Sequence, residues 1–338
     1  IVGTVRRIIM KREDLKIVFM GTPEFAETAL RKVVDSGYNV VGVVTMPDKP
    51  IGRHGSVLQS SPVKKYALSV GLPVLQPENL KDECFIKELK ALNADIQIVV
   101  AFRMLPEMVW NMPPMGTFNL HASLLPQYRG AAPINWAVIN GEEETGVTTF
   151  FLKHEIDTGD IIRQEKVSIA HTDNVEIVHD KLMYLGADLI VKTLDDIITG
   201  NLNTKAQKEF FTNELELKPA PKIFKETCRI DWNRSSKQVY DFIRGLSPYP
   251  AAWTEVFMPD GSKFDLKIFG ADVVNSNPAE PGTIDTDGKN YIEISTKDGA
   301  LRITDLQQSG RKRMPVKSFL CGNDLSSCRC SSPEKIEE

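Results

Sequence analysis

Through the first two hundred residues, short apolar runs alternate with stretches whose apolar positions recur every three or four residues. Lys16-Ile17-Val18-Phe19-Met20 predicts a buried strand, followed by Gly21-Thr22-Pro23 and an amphipathic stretch to Val34. Thr22 is expected to cap that helix, with Pro23 in its first turn. The pattern predicts further strands over 40–45, near Val74 and over 96–101, with helices over 63–70 and 80–92. β-branched runs alternating with helical patterns predict an α/β domain whose sheet is largely parallel. Strands are also expected over 117–121, 145–152 and 161–169, with a helix near 134–139. Asp173 followed by Glu176 predicts a capping box. The helix it would open carries Val175, Val178, Leu182, Leu185 and Leu189 at helical spacing and ends near Gly200.

The rhythm then changes. Residues 201–222 are polar, contain Pro219 and Pro221, and are expected to be a linker. After a helix near 236–244 come short strand-like runs over 253–257, 264–269, 291–295 and 301–304, punctuated by Gly, Pro, Asn and Asp. That punctuation predicts a small β-barrel. The expected organisation is an extension (1–14), an α/β catalytic domain (15–200), a linker (201–222), a barrel domain (223–320) and a tail (321–338).

A length of 338 residues suits two domains, and no apolar run approaches the ~20 residues of a membrane helix. The five cysteines (Cys84, Cys228, Cys321, Cys328 and Cys330) are unevenly spread, which suits a reducing cytosol and not a disulfide scaffold. A cytoplasmic location is expected. Cys328-x-Cys330 lacks a second ligand pair, so no metal is expected. The chain opens at Ile1, and Met10 fits better as a start. Residues 1–9 are read as disordered or as an upstream extension, too short for a signal peptide.

The chemistry concentrates in Phe118-Asn119-Leu120-His121-Ala122-Ser123-Leu124-Leu125-Pro126 and in Asp157-Thr158-Gly159-Asp160. Residues two apart on a strand share a face, so the Asn119 amide and the His121 imidazole face one volume. Asp157 can reach that volume if the strands over 117–121 and 145–152 pair. Asp-Thr-Gly is also good turn chemistry, so Asp157 is read equally well as a turn residue. Asp160 is read as structural. Gly21-Thr22-Pro23 lacks the G-x-G-x-x-G spacing and no phosphate-loop lysine motif exists, which disfavours nicotinamide cofactors and nucleotide hydrolysis. Ser123 lacks a nucleophile-elbow context, and His54, His154, His171 and His179 show no metal spacing.

Met20-Gly21-Thr22-Pro23-Glu24-Phe25-Ala26, Pro47-Asp48-Lys49-Pro50-Ile51-Gly52-Arg53, the segment from Ser123-Leu124-Leu125-Pro126 to Tyr128-Arg129-Gly130-Ala131-Ala132-Pro133, and Asp157-Thr158-Gly159-Asp160 carry a family resemblance. From about Leu15 to Leu320 the chain resembles the 10-formyltetrahydrofolate-dependent formyltransferases, in particular those acting on methionyl-tRNA. Arg229-Ile230-Asp231-Trp232 is typical of the tRNA enzymes or their sugar-nucleotide relatives. The resemblance implies a Rossmann-like catalytic domain and an OB-like barrel. It implies formyl transfer from 10-formyltetrahydrofolate to methionyl initiator tRNA, by Asn119, His121 and Asp157, without a metal. Folate contacts are expected from Ser123, Leu124, Leu125, Pro126, Phe102 and Met104. The family often has an aromatic, a Gly and a longer apolar run after the position of Ala101, and here Phe102-Arg103-Met104-Leu105-Pro106 is one residue shorter. Arg53, Arg311, Lys312 and Arg313 are expected to contact tRNA. The net charge is −4, yet residues 218–320 hold 16 Lys and Arg against 13 Asp and Glu, a local balance of +3. Phosphate contacts depend on such local charge. Rival readings are formyl transfer to a sugar-nucleotide amine and a non-catalytic RNA-binding relative. A monomer is expected.

Overall fold

The computed structural model describes residues 10–51, 57–276 and 279–333. They divide into two compact units, one of the described residues within 10–130, 146–167 and 180–219, the other of those within 131–145, 168–179 and 220–333.

In chain order the first half contains β1 (Lys16–Gly21), α1 (Glu24–Asp35), β2 (Asn39–Val44), β3 (Lys49–Ile51), β4 (Val57–Gln59), α2 (Pro62–Ser69) and β5 (Val74–Leu75). There follow α3 (Glu83–Ala91), β6 (Ile96–Val100), α4 (Glu107–Trp110), β7 (Thr117–His121), α5 (Pro133–Ile139), β8 (Glu144–Phe151), β9 (Ile161–Ser168) and α6 (Val175–Thr199). One seven-stranded sheet runs β5-β2-β1-β6-β7-β8-β9. The pairings from β5 to β7 are parallel, and β8 is antiparallel to β7. Ile17, Val18, Phe19 and Met20 are fully buried, as a central parallel strand covered on both faces requires. β3 and β4 form a separate antiparallel pair.

Helix starts depart from expectation. Pro23 occupies the N-cap of α1, so Thr22 sits one position too early to cap it and its hydroxyl is buried without a partner. Asn174, not Asp173, caps α6, accepting from the Ile177 amide at 3.0 Å. Asp173 instead accepts from the Ala170 amide at 2.8 Å, closing the preceding turn. Gly21 ends β1 where an added Cβ would lie 2.5 Å from the Ala26 Cβ, so close strand–helix packing explains the glycine.

Most of the expected linker, 201–219, and the described part of the expected extension, 10–14, belong to the first unit. Arg12, in a short turn over Arg12–Asp14, forks onto Asp195 at 3.0 and 2.8 Å. Lys205, in the expected linker, exchanges backbone hydrogen bonds with Ile161 at 2.8 and 2.9 Å. Residues 1–9 lie outside the described residues.

The second unit adds α7 (Ser236–Leu246), β10 (Ala252–Phe257), β11 (Lys263–Val274), β12 (Ile284–Thr286), β13 (Ile292–Ser295), β14 (Ala300–Gln308), β15 (Met314–Pro315), α8 (Val316–Leu320) and β16 (Arg329–Cys330). Its antiparallel sheet runs β12-β13-β14-β11-β10-β16 around a core containing Trp232, Ile294 and Leu306. The expected tail is part of this sheet. β16 pairs with β10, and the Cys330 amide donates to the Gly282 carbonyl at 2.8 Å just before β12, so the sheet nearly closes. Cys228, Cys328 and Cys330 are buried as free thiols in the core. Burial pushes the Cys330 thiol up to about 12, which leaves it inert. Among the described residues no helix is long and apolar enough to cross a membrane.

Candidate functional site

β7 sets Asn119 and His121 on one face, with Leu120 on the other against Gly186. Asn119 lies between Val99 of β6 and Phe150 of β8, and His121 is opposite Thr148. The His121 ring is buried, and its Nε2 lies 2.8 Å from the Tyr128 carbonyl oxygen. A carbonyl only accepts, so Nε2 carries the hydrogen and a neutral ring keeps the lone pair of Nδ1 free. Nδ1 is 3.9 Å from Oδ2 of Asp157. That distance is too long for a direct hydrogen bond and short enough for the carboxylate to steady a charge on the ring.

Asp157 sits in the turn between β8 and β9 at φ 55°, a left-handed conformation that Asp tolerates better than most residues. Its Oδ2 also accepts from the Gly130 amide at 3.1 Å. The sequence pattern joined Asp157 to Asn119 and His121 only on condition that the strands pair, and β7 and β8 do pair. Asp160 is held at the surface by Lys153 at 2.8 Å. Asn119 presents a buried amide oxygen with no hydrogen-bond partner. A half-turn of that amide puts its –NH2 at the same point, as a donor.

Sequence reasoning missed Gln207. This buried side chain donates to the Asp157 and Gly159 carbonyls at 2.7 and 2.9 Å and accepts from Arg129 Nε and Nη2 at 3.0 and 2.6 Å. Nothing in a polar stretch without periodicity marks it.

The Ser123–Pro126 loop was expected to hold a ligand through its backbone, and much of that backbone is already bonded. Thr148 Oγ1 donates to the Ser123 carbonyl at 2.7 Å and accepts from the Leu125 amide at 3.2 Å. Gln164 Nε2 donates to the Leu125 carbonyl at 2.7 Å. Ser123, Leu125 and Pro126 are buried, and Leu124 packs toward Gly146. Met104, 72% exposed, lines an open cavity of about 930 Å³ together with Lys81, Arg103, Leu105 and Met108. Phe102 does not line it and packs against the core cluster of Val99, Leu105 and Val109. Arg103 is anchored by the Pro77 and Glu78 carbonyls.

Arg311, Lys312 and Arg313 are exposed in the turn between β14 and β15. Arg313 is already engaged, since it pairs with Asp305 and lies 4.3 Å over the Phe269 ring. The expected cluster of three therefore leaves Arg311 and Lys312 without an acidic partner among the described residues. Arg53 lies outside the described residues. Among the described residues no three His, Cys, Asp or Glu side chains gather to hold a metal ion.

Residues 15–194 match the formyl transferase family and residues 222–324 its C-terminal domain. The methionyl-tRNA formyltransferase of Parabacteroides distasonis is 65% identical over 317 residues, which is 93% of this chain and 97% of that protein. That of Phocaeicola vulgatus is 64% identical, covering 97% of this chain and 100% of its own. Among solved structures, HypX from Aquifex aeolicus in complex with tetrahydrofolic acid superposes with a TM-score of 0.61 at 18% identity, over 92% of this chain and 47% of that one. WlaRD, a sugar 3N-formyl transferase, superposes with a TM-score of 0.62 at 19% identity, over 88% of this chain and 99% of that one. At these identities the two structures speak to the fold.

Proposed function

The chain belongs to the formyl transferase family, and on that premise we propose that it transfers the formyl group of 10-formyltetrahydrofolate to the α-amino group of methionyl initiator tRNA, for translation initiation. The observation that carries the acceptor is the 65% identity with a methionyl-tRNA formyltransferase over nearly the full length of both chains. A cytoplasmic location and action as a single chain go with this reading.

The site supports the chemistry. An attacking amine must be neutral, and an α-amino group ordinarily titrates at about 7.7–8.0, so a modest base suffices. His121 Nδ1 accepts the proton that the amine loses as it bonds to the formyl carbon, while the Tyr128 carbonyl fixes the opposite nitrogen as N–H. Asp157, 3.9 Å away, offsets the positive charge that the ring then carries. Asn119, its amide turned to donate, stabilises the oxygen that gains charge, a contact worth about 3–4 kcal/mol in comparable sites. His121 then returns its proton to the leaving nitrogen. The products are an N-formyl amine and a neutral leaving amine that has gained one N–H, and no metal is required.

The formyl donor supplies the carbon, and two observations fit it. The Asn119 amide has an unpartnered buried end. The cavity beside Met104 and Met108 suits a flat apolar ring, and Lys81 on its rim suits an acidic tail. The measurement is formyl transfer by the purified chain to methionyl initiator tRNA and, in parallel, to a nucleotide-linked amino sugar. Formylmethionyl-tRNA as the preferred product is expected. Preference for the sugar, or folate-independent RNA binding alone, refutes the reading.

A further inference from the structure

Gln207 lies in the stretch between the two regions that match the family, 15–194 and 222–324. Its side chain nevertheless reaches both loops that flank His121. Both amide hydrogens are used, on the Asp157 carbonyl at 2.7 Å and the Gly159 carbonyl at 2.9 Å. The amide oxygen uses both lone pairs, accepting from Arg129 Nε at 3.0 Å and Nη2 at 2.6 Å. Only an amide supplies two donors and a doubly accepting oxygen at that point. The residue is 3% exposed, so these bonds are shielded from bulk water.

The two loops it joins set the two sides of the imidazole. Arg129 follows Tyr128, whose carbonyl holds Nε2, and precedes Gly130, whose amide donates to Asp157 Oδ2. The other loop carries Asp157 itself. A displacement of either loop changes the 3.9 Å separation of His121 Nδ1 and Asp157 Oδ2.

We propose that Gln207 is a positioning residue for formyl transfer, clasping the Arg129 loop to the Asp157 turn so that the carboxylate keeps its place beside His121. This rests on the reading of Asp157 and His121 as reacting groups.

The test is a double-mutant cycle of Gln207→Glu and Asp157→Asn on the full chain. Steady-state kcat, KM for both substrates, the pH–rate profile and the melting temperature are measured. Gln207→Glu keeps the acceptor for Arg129 and turns a carboxylate against two carbonyls. It should lower kcat by about 10²-fold, the usual cost of a 1 Å misplacement, with KM roughly unchanged. In the Asp157→Asn background the same change should cost roughly 3-fold or less, because the group being positioned is already impaired. If Gln207→Glu does not fold, Gln207→Met, which keeps the volume and drops all four bonds, is read in the same way. Equal losses in both backgrounds would reveal a purely structural role and overturn the proposal. So would wild-type kcat and pH profile in the Gln207 variant beside an impaired Asp157→Asn. Wild-type activity of Asp157→Asn alone would instead overturn the reading of the site.

Discussion

Replacing Gly159 by Ala tests whether the position of the Asp157 turn limits catalysis. A Cβ on Gly159 would lie 1.6 Å from the Phe151 carbonyl oxygen, 2.8 Å from its carbon and 3.1 Å from the Phe150 ring. Cβ contacts do not close below 3.0 Å, so one side must retreat by about 1.4 Å. Phe151 ends β8, which is held in the sheet between β7 and β9, and Phe150 is fully buried. The partly exposed turn therefore moves, and Asp157, two residues upstream, moves with it. The hydrogen bond from Gln207 to the Gly159 carbonyl, 2.9 Å long, is strained or lost. Leaving such a buried group unpaired costs about 1–3 kcal/mol of stability. A misplacement of 1 Å or more lowers kcat by about 10²-fold. Single-turnover formyl transfer with both substrates saturating gives the rate, and a thermal melt gives the fold. Gly200→Ala is the control, because Gly200 has φ +67° but nothing within 4 Å of its added Cβ. It should lose about 1 kcal/mol of stability and no rate. A folded Gly159→Ala enzyme with wild-type kcat would show that the carboxylate's position is not what the site depends on.

Asn119→Ala should lower kcat by about 10²-fold or more and leave the melt unchanged, since its buried amide oxygen holds no structural partner; unaltered turnover would remove Asn119 from the mechanism. Arg311→Ala with Lys312→Ala should weaken tRNA binding and lower the slope of log K against log salt by about 0.7–0.9 per lost phosphate contact, whereas Arg313→Ala, already paired with Asp305, should change it less. Equal slopes in titrations at several salt concentrations would reduce this turn to a solvated one. The Lys263 ammonium, with Arg229 beside it, holds the Glu255 carboxyl below its usual range. A depressed folded-state pKa contributes stability above the unfolded value of about 4.3 and loses it as pH falls through the folded one. Glu255→Gln should therefore lower the melting temperature at pH 6 and narrow its drop between pH 6 and pH 3; an unchanged drop would contradict the assignment.

What could be read from the sequence followed from periodicity. β1 is an apolar run of the length that a buried parallel strand needs, and on β7 the two-residue spacing put Asn119 and His121 on one face. The expected strand over 264–269 stopped at Gly270, which reads as a breaker. In the structure Gly270 sits at a register shift between β11 and β14, and β11 runs through it to Val274. Gln207 has no periodic neighbours, and its role exists only once distant loops meet. Arg313 looked available because Asp305, eight residues earlier, faces it only across the β14–β15 turn. The Arg329–Cys330 strand is too short to show alternation, and its partner Val256 is far back in the chain.

That short strand gives the second unit an order in time. β10 is complete at Phe257, and the Trp253 end of its second edge is met early by Ile230, whose amide donates to the Trp253 carbonyl at 2.8 Å, but the Phe257 end of that edge is covered only by Arg329, Cys330 and Ser331. At about 5–20 residues per second, a ribosome needs roughly 4–15 s to make the intervening chain. During that interval the Phe257 end of β10 carries unanswered amides and carbonyls, the kind of edge that recruits stray strands. The same late segment brings the Cys330 amide to Gly282, where φ is +85° and an added Cβ would lie 2.3 Å from the Cys330 carbonyl oxygen. The barrel's seam is thus sewn last, through a gap that only glycine leaves open, and until then the nascent unit is a curved sheet open along that seam.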